Sequence, residues 1–346
     1  MMPPPTVALV ILNYNGKKYL ERFLPSVLKY APQHAQIIVG DNASTDDSID
    51  FVATQYPGVR LIRLEHNLGF AGGYNQVLLQ VESDLYFLIN SDIELRGPTD
   101  PLVSLMHQDH QIAALQPKIL SFNKPDHFEH AGGAGGWIDM FGYPFCKGRL
   151  LDFFEKDEGQ YDQSGEIFWA SGAAMMVRAS LFHELGGFDS KYFAHMEEID
   201  WCWRAKRAGW KIVAEPGVSV YHIGGGTLPY NSNQKIYLNF RNNIATLIKN
   251  ETTLKLIFIL PSRIILDLMA AVSFASKANF SGCISIFKAY RTLLSWMPYL
   301  IKKRSQTNRM VRGKKFNRHG IYHGSLIWQF FVLGKKKFNQ LIPAHV

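Results

Sequence analysis

The chain has 346 residues, of which 47% are hydrophobic and 19% are charged. These values are ordinary for a globular protein with one large domain or two smaller ones, so a sizeable core is available. Cys146, Cys202 and Cys283 show no paired spacing, which argues against a disulfide framework or a zinc site and favours a reducing cytosol. The start, MMPPPT, lacks the pattern of a secretory signal, and none is expected.

Charge is distributed unevenly along the chain. The net charge is +8, yet the last acidic residue is Asp267, and the 79 residues after it carry 14 of the 37 Lys and Arg residues. The 23 basic residues upstream are outnumbered by the 29 acidic ones. A basic tail of this kind is typical of a protein that meets a polyanion, either nucleic acid or an anionic membrane surface.

Short apolar runs predict buried strands, and helical patterns fill the spaces between them. Ser44, with Asp47 three residues later, is predicted to cap the second helix. The alternation predicts a parallel α/β sheet built from right-handed crossovers. The predicted strands are 6–13, 36–41, 59–64, 85–89 and 218–222, and the predicted apolar face of the first helix is Tyr19, Leu20, Phe23, Leu24, Val27 and Leu28.

The strand at 85–89 runs into a polar corner, Asn90-Ser91-Asp92. In parallel sheets ligands bind where strands end, and an aspartate there suits Mg²⁺ or Mn²⁺, with substrate phosphates completing the coordination shell. The alternative is a plain turn, since Asn, Ser and Asp are common turn formers. The strand-end residues predicted to converge on one crevice are Asn13, Asp41, Asn67 and Asp92.

These strand ends resemble those of a family 2 glycosyltransferase with the GT-A fold, close to the branch that contains bacterial rhamnosyltransferases. Residues 6 to about 245 carry the resemblance. It implies that Tyr14 faces the nucleotide base, that Asp41 hydrogen-bonds the base, and that Asp92 binds a metal on the diphosphate. Asn90 stands where the family's D-x-D pattern has its first aspartate, so the corner carries one charge fewer. The residues predicted to bind the nucleotide sugar are Asn13, Tyr14, Asn15, Asp41, Asn42, Ser44, Asn67, Gly69, Phe70, Asn75, Asn90 and Arg241.

An acidic cluster opens the helix predicted after residue 196, which Gly209 ends. Acidic residues at a helix start are often only dipole partners, but three carboxylates within four residues repel one another. The stretch resembles the family's E-D-x-D motif, whose second acidic residue is the catalytic base. The resemblance makes Glu198 the base and Glu197 a support for the loop, while Asp200 would orient the loop through Arg204, four residues on.

Three further segments complete the predicted site. Residues 116–166 are glycine-rich and predict loops over the sheet edge. Trp169, Ser171 and Gly172 resemble the family's segment beside the donor sugar and the acceptor, where Trp169 would stack on a sugar or simply pack in the core. By resemblance, His222 supplies a second metal ligand, and Arg241 holds a phosphate. The glycines at 224–226 would let the backbone approach the diphosphate.

From residue 254 onward, apolar stretches alternate with basic residues. The longest charge-free run, 319–334, is 16 residues, below the ~20 that a spanning helix needs. Interfacial helices with aromatic and basic edges are favoured, and an ordinary helical subdomain is the alternative. The prediction is a catalytic domain at 1–250 and a membrane-associating helical region at 251–346.

The predicted function is an inverting, metal-dependent glycosyltransferase. A dTDP- or UDP-sugar donor with Mg²⁺ or Mn²⁺, a rhamnose-like sugar, and a lipid-linked or polymeric glycan acceptor are expected, at the cytoplasmic face of a bacterial inner membrane and without nucleic acid. Alternatives are a UDP-hexosyl or galactofuranosyl transferase, a non-catalytic sugar-nucleotide sensor, and a basic nucleic-acid-binding protein. The last is disfavoured by the apolar and aromatic residues between the basic ones, and by the acidic cluster.

Overall fold

Two sheets and nine helices make up the part of the chain that the computed structural model describes, residues 3–224 and 232–343. The strands are β1 (Val7–Asn13), β2 (Gln36–Asp41), β3 (Arg60–Arg63), β4 (Leu85–Asn90), β5 (Ile93–Leu95), β6 (Ile112–Ser121), β7 (Gly136–Asp139), β8 (Pro144–Cys146), β9 (Arg149–Leu150), β10 (Phe153–Phe154), β11 (Gly165–Ile167), β12 (Ala174–Arg178), β13 (Lys211–His222) and β14 (Ile321–Tyr322). The helices are α1 (Lys17–Tyr30), α2 (Ser48–Gln55), α3 (Gly69–Leu78), α4 (Asp100–Gln108), α5 (Ala179–Glu184), α6 (Glu197–Arg207), α7 (Asn233–Asn250), α8 (Thr253–Ser276) and α9 (Phe280–Met310).

The larger sheet has the strand order β11-β13-β6-β12-β4-β1-β2-β3, with β5 paired to β13. Pairing is parallel along β4, β1, β2 and β3, as the alternation of strands and helices predicted. The strands β12 and β11 run antiparallel to their neighbours, so the sheet is mixed. Its two faces are covered by separate apolar cores, which explains why all the hydrophobic residues of β4 are buried.

The register of the parallel strands brings the predicted site residues to one edge. Asn13 at the end of β1 lies opposite Asp41 at the end of β2. On the other side of β1, Leu12 lies opposite Asn90 at the end of β4. The carboxyl ends of three strands therefore meet, which is where ligands bind in sheets of this type.

Two local predictions were wrong. The apolar face of α1 buries Leu20, Phe23, Leu24 and Val27, but Leu28 is 43% exposed. The start of α2 has no cap from Ser44. The Ser44 hydroxyl instead accepts hydrogen bonds from the Asn13 side chain and the Asn15 backbone, because β1 and β2 lie side by side and offer it donors that are distant in sequence.

Residues 116–166 are not only loops. They complete β6 and form the strands β7 to β11, and a smaller sheet has the order β10-β9-β8-β7-β14. The strands β7 to β10 contain two to four residues each, too short to give a period in the sequence. Their partner β14 comes from residue 321 onward, so the pairing is invisible to local patterns.

The C-terminal region, predicted to begin at residue 251, divides into two parts. The helices α8 and α9 form a hairpin, and α9 packs on α7. After them, the chain returns to the smaller sheet, where Leu326, Phe330 and Phe338 join its apolar core. By length and composition, α8 qualifies as a membrane-crossing helix, and it alone does so within the described ranges.

The return of the chain to the smaller sheet yields a stability prediction. Phe338 is 4% exposed and its ring packs against those of Trp137, Phe145 and Tyr161. We expect Phe338→Ala to lower the free energy of unfolding by about 3–5 kcal/mol, because it leaves a cavity in that core.

Phe331, in the same segment but 68% exposed, provides the matched control. Phe331→Ala should change the free energy of unfolding by less than about 0.5 kcal/mol in the same urea titration. Equal effects of the two substitutions would contradict the packing of this segment on the smaller sheet.

Candidate active site

A cavity of about 470 Å³ opens at the edge where β1, β2 and β4 end. It is bounded by the corner after β4, the loop before β12 and the loop that leads into α6. The predicted residues in its lining are Asn13, Tyr14, Asn42, Asn67, Gly69, Phe70, Asn90, Asp92, Trp169, Ser171, Gly172, Glu197, Glu198 and His222. The predicted residues outside the lining are Asn15, Asp41, Ser44, Asn75, Asp200 and Arg241.

At the end of β1, several of the residues predicted to bind the nucleotide base are hydrogen-bonded to one another. The Asn13 amide donates to Asp41 Oδ1 and to Ser44 Oγ, both at 3.1 Å. Asp41 Oδ2 accepts from the Ser44 backbone, and the Asn15 side chain accepts from the Thr45 backbone. Asp41 is 1% exposed and both its oxygens are occupied, so in this arrangement it fixes Asn13 and does not face the cavity itself.

The start of α3 forms a second wall of the cavity. The Asn42 side chain donates to Asn67 Oδ1 and to the Gly69 carbonyl, each at 3.0 Å. Gly69 has a φ of +70°, and a Cβ there would lie 2.5 Å from Phe193, so a side chain at this position would displace the loop before α6. Asn75 lies six residues farther along α3 and exchanges hydrogen bonds with the Phe188 backbone, which joins α3 to that loop.

The predicted metal corner contains an ion-paired histidine. His222 Nε2 lies 3.1 Å from Asp92 Oδ1, and His222 Nδ1 lies 3.0 Å from Glu129 Oε2. All three side chains are buried. Burial opposes protonation of the imidazole, but the two carboxylates raise the pKa of His222 to about 10.

The donor atoms of this corner fit a divalent cation. Neighbouring ligands of an octahedral Mg²⁺ at ~2.1 Å are separated by about 3 Å, which matches the spacing of His222 Nε2 and Asp92 Oδ1. No group of three or more His, Cys, Asp or Glu side chains able to hold a metal occurs in residues 3–224 and 232–343. The protein would thus supply Asp92 and His222, whose imidazole would first give up the proton that the two carboxylates stabilise, leaving the remaining positions to phosphate oxygens and water.

The carboxylates of the acidic cluster have two kinds of surroundings. Glu197 and Glu198 each have an oxygen without a hydrogen-bond partner among the described residues, whereas Asp200 forms ion pairs. Glu197 and Glu198 line the cavity, and in the part of the chain that the structure describes, Oε2 of each has no hydrogen-bond partner. Burial raises the pKa of Glu198 to about 7, and burial together with the nearby Glu198 raises the pKa of Glu197 well above its usual range.

The loop before α6 adopts an unusual backbone. Phe193, His195 and Met196 have φ values of 67°, 70° and 72°, and such conformations cost free energy for residues other than glycine. His195 lines the cavity, its Nε2 has no partner within the described ranges, and burial, then the charge of Lys235, lowers its pKa to about 4. The imidazole is therefore neutral beside the two glutamates.

Asp200 lies in the core and not in the cavity. Its carboxylate accepts from Arg204, Lys249 and Asn250 at 2.8–3.0 Å. Burial opposes ionisation, but Lys249 and Arg204 outweigh it and lower the pKa of Asp200. The predicted link to Arg204 is present within α6, and the hydrogen bonds from Lys249 and Asn250 join α6 to α7.

On the predicted acceptor side, Trp169 packs in the core and also reaches the cavity. It lines the cavity but is only 4% exposed. Its Nε1 donates to the Trp137 carbonyl at 2.8 Å, and its ring covers Gly136, where a Cβ would lie 2.1 Å from the ring. Ser171 is buried, with its backbone N–H bonded to Gln116, and Gly172 faces Phe70.

Arg241 occupies a different place from the predicted one. Its guanidinium donates to the Lys191 and Tyr192 carbonyls and to Asn242, so it holds the loop before α6 and lies outside the cavity lining. Arg149 and Lys235 bring positive charge to the lining instead. The predicted contributions of Gly225 and Gly226 fall outside the described residues.

Sequence reasoning missed Glu129, Arg149, His195 and Lys235. Glu129 and Arg149 belong to the stretch predicted as loops, and nothing local marks either of them as facing the cavity. His195 carried a usable signal, because it lies three residues before Glu198 in the acidic motif.

The fold and the cavity together define a glycosyltransferase of the GT-A type. The family model described as "Glycosyl transferase family 2" matches residues 8–186, and this chain belongs to that family. The match covers the parallel strands and both walls of the cavity, up to the loop before α6.

Proteins with similar sequences include two rhamnosyltransferases. An N-acetylglucosaminyl-diphospho-decaprenol L-rhamnosyltransferase of Mycobacterium tuberculosis is 28% identical over 233 residues, 62% of this chain and 75% of the relative. The rhamnosyltransferase WbbL of Escherichia coli K12 is 25% identical over 231 residues, 62% of this chain and 83% of the relative. The chain is therefore similar to the rhamnosyltransferase branch that its motifs indicated.

Solved structures show the same fold. S. aureus TarS 1-349 in complex with UDP-GlcNAc superposes with a TM-score of 0.54 at 15% identity, covering 92% of this chain and 99% of that one. GalNAc-T7 with UDP, GalNAc and Mn²⁺ gives a TM-score of 0.56 at 17% identity, covering 72% and 48%. These matches confirm the predicted GT-A fold.

The contrast between Asp200 and the unpaired glutamates yields a stability prediction. We expect Asp200→Asn to lower the free energy of unfolding by about 3–5 kcal/mol, because Arg204 and Lys249 would keep buried charges with one carboxylate fewer. Denaturant unfolding followed by circular dichroism measures the change.

Asp47→Asn is the control, since that carboxylate is exposed and forms an ion pair with the partly exposed Lys17. It should change the free energy of unfolding by less than about 1 kcal/mol. An Asp200→Asn protein as stable as the control would contradict the assignment of Asp200 to the core network.

Proposed function

We propose that this glycosyltransferase moves a sugar, with inversion, from a nucleotide diphosphate sugar to a hydroxyl of a lipid-linked or cell-surface glycan. The observation that carries the proposal is the position of Glu198. The Oε2 atom of its carboxylate, buried and without a hydrogen-bond partner among residues that the structure describes, lies in the same cavity as the Asp92 and His222 corner. A base and a place for the leaving diphosphate are thus available within one space.

Glu198 is suited to accept the proton of the acceptor hydroxyl. A general base works best when its pKa lies near the operating pH, and burial raises the pKa of Glu198 to about 7. As the acceptor oxygen bonds to C1 of the sugar, the bond from C1 to the diphosphate breaks, and the hydroxyl proton passes to Glu198. Attack opposite the leaving group inverts the configuration at C1.

The other walls of the cavity hold the donor in this proposal. Tyr14 is 39% exposed, so its ring is accessible to the base, while Asn13 and Asn67 offer amides to the nucleoside. A divalent cation held by Asp92 and His222 would stabilise the negative charge that develops on the diphosphate. Arg149 and Lys235 lie where their positive charges favour the same diphosphate, the role first expected of Arg241.

Rhamnose carried by dTDP is the leading donor, supported by the names of the two rhamnosyltransferase relatives. A decaprenol-linked acceptor is named for the Mycobacterium tuberculosis relative, which supports a lipid-linked acceptor here. Such an acceptor lies at a membrane, and we place the protein peripherally at the cytoplasmic face of a bacterial inner membrane. UDP-hexoses and UDP-galactofuranose remain the alternative donors.

The test measures which nucleotide sugars the full-length protein turns over. We expect dTDP-rhamnose to be hydrolysed fastest when Mn²⁺ or Mg²⁺ is present, and hydrolysis to stop on adding a chelator. Faster hydrolysis of a UDP-hexose would move the assignment to the alternative donor class. If no nucleotide sugar were hydrolysed or raised the melting temperature, the proposed function would be wrong.

Asp92→Asn tests the metal corner in the same assay. The amide oxygen can still accept from His222, so the fold should survive, but the loss of charge weakens cation binding and we expect at least about a tenfold higher Mn²⁺ requirement. Glu94→Gln, two residues on and outside the cavity lining, is the control and should leave the Mn²⁺ titration unchanged. An unaltered titration for Asp92→Asn would contradict the metal role.

A further inference from the structure

The helix α8 has the opposite distribution of polar and apolar side chains to a surface helix of a soluble protein. The two charged residues in the middle of the helix, Arg263 and Asp267, face inward and are 1% and 0% exposed, while Lys255 in the first turn is exposed. Outward, it presents an apolar stripe without a charged residue. The side chains of this stripe, called here the α8 face, are Leu254, Ile257, Phe258, Ile264, Ile265, Leu268, Met269 and Val272, each between 45% and 70% exposed.

The inward charges are fixed by other parts of the protein. Arg263 donates to the Phe141 carbonyl and to Asn243, and its guanidinium lies over the ring of Tyr143. The Asp267 carboxylate accepts from the hydroxyls of Tyr143 and Tyr290 at 2.9 and 2.7 Å. These contacts tie α8 to α7, to α9 and to the turn between β7 and β8, so one side of α8 is packed against the rest of the protein.

This anchoring decides against a membrane-crossing position, although α8 has the length for one. A crossing helix would place Arg263 and Asp267 near the middle of the bilayer, where each costs about 2.5–3.5 kcal/mol even on the lenient insertion scale. It would also leave the hydroxyls of Tyr143 and Tyr290 without their carboxylate. A helix that lies in the membrane plane keeps every one of these contacts.

The charges around the hairpin favour a lipid surface over a second copy of the chain. Lys255 and Lys277 lie near the two ends of α8, and Lys288 and Arg291 are exposed on α9. No Asp or Glu follows Asp267, so two copies meeting through this hairpin would bring like charges together. An anionic leaflet offers hydrocarbon to the apolar stripe and negative headgroups to the basic ends.

We propose that the α8 face binds an anionic lipid leaflet with α8 lying in the membrane plane and its Arg263–Asp267 side held in the protein. The proposal deepens the membrane location given above and rests on it. The exposed apolar residues Phe280, Ile284 and Phe287 at the start of α9 extend the apolar surface of the same hairpin. Docking in this way would hold the catalytic cavity beside the leaflet from which a lipid-linked acceptor comes.

The first test compares vesicle binding of the full-length protein and of the double variant Ile265→Glu/Met269→Glu. Vesicles contain equimolar phosphatidylglycerol and phosphatidylcholine, and flotation measures binding. We expect the double variant to bind at least about tenfold more weakly, because two carboxylates would enter the headgroup region. Leu79→Glu, 68% exposed at the end of α3, is the matched control and should float like the wild-type protein.

The second test uses the wild-type protein and separates lying from crossing. A membrane-impermeant amine reagent is added outside sealed vesicles that already carry the protein, and peptide mass spectrometry reads Lys255 and Lys277. An in-plane α8 leaves both lysines reactive. A crossing helix would protect one of the two, and that result would overturn the proposal, as would equal flotation of the double variant and the wild type.

Donor hydrolysis in the same preparations separates the two proposals. The double variant should hydrolyse the donor at the wild-type rate without vesicles, because its changes are exposed and outside the catalytic cavity, and it thereby reports an intact fold. Flotation of a wild-type protein that hydrolyses no donor would contradict the proposed function and leave the α8 face in place. Donor hydrolysis by a wild-type protein that binds no vesicle would contradict the membrane role of the α8 face and leave the proposed function in place.

Discussion

The buried carboxylate of Asp200 holds together the elements on which the candidate active site depends. It joins Arg204 on its own helix to Lys249 and Asn250 on α7, and Lys249 also bonds Asp189. Neighbouring bonds from Asn242 to the carbonyls at 192, 194 and 195 fix the loop before α6. These contacts offset the cost of the positive φ values at Phe193, His195 and Met196. Without them the loop could relax, and Glu198 would leave the cavity.

The same cluster shows how environment divides similar residues between structural and chemical roles. Asp200 has two basic partners and a lowered pKa, whereas Glu198, two residues earlier, has an unpaired oxygen and a raised pKa. A structural carboxylate gains from being permanently charged, while a base must be able to take a proton and release it. The proposed catalytic role therefore belongs to Glu198, and the order E-E-x-D places the two roles two residues apart, on nearly opposite sides of α6.

The predictable part of the fold was the part that rests on local patterns. The strands β1, β2 and β4 carry continuous apolar runs and end in polar corners, so their place and the convergence of Asn13, Asn67 and Asp92 followed from sequence. The smaller sheet did not, because strands of two to four residues carry no period and Ile321 of β14 pairs with Ile138 of β7, 183 residues earlier. The position of Arg241 was not foreseen for a related reason, since the backbone carbonyls that accept its hydrogen bonds belong to a loop about 50 residues earlier in the chain. His222 was placed correctly, but its partner Glu129 comes from the unpredicted stretch.

The most direct test of the account is the pH dependence of donor hydrolysis in the wild-type protein, Glu198→Gln and Glu197→Gln. Because burial raises the pKa of Glu198 to about 7, the carboxylate is protonated below that pH, and the wild-type rate should rise as the pH passes through it. Glu198→Gln should lose the rise and about 10² to 10⁴ in rate while still binding the donor. Glu197→Gln makes the same substitution one residue earlier, at a carboxyl whose pKa burial and Glu198 raise well above its usual range, and should retain the rise. A rise that survives in Glu198→Gln, or one that disappears only in Glu197→Gln, would contradict the assignment of Glu198 as the base.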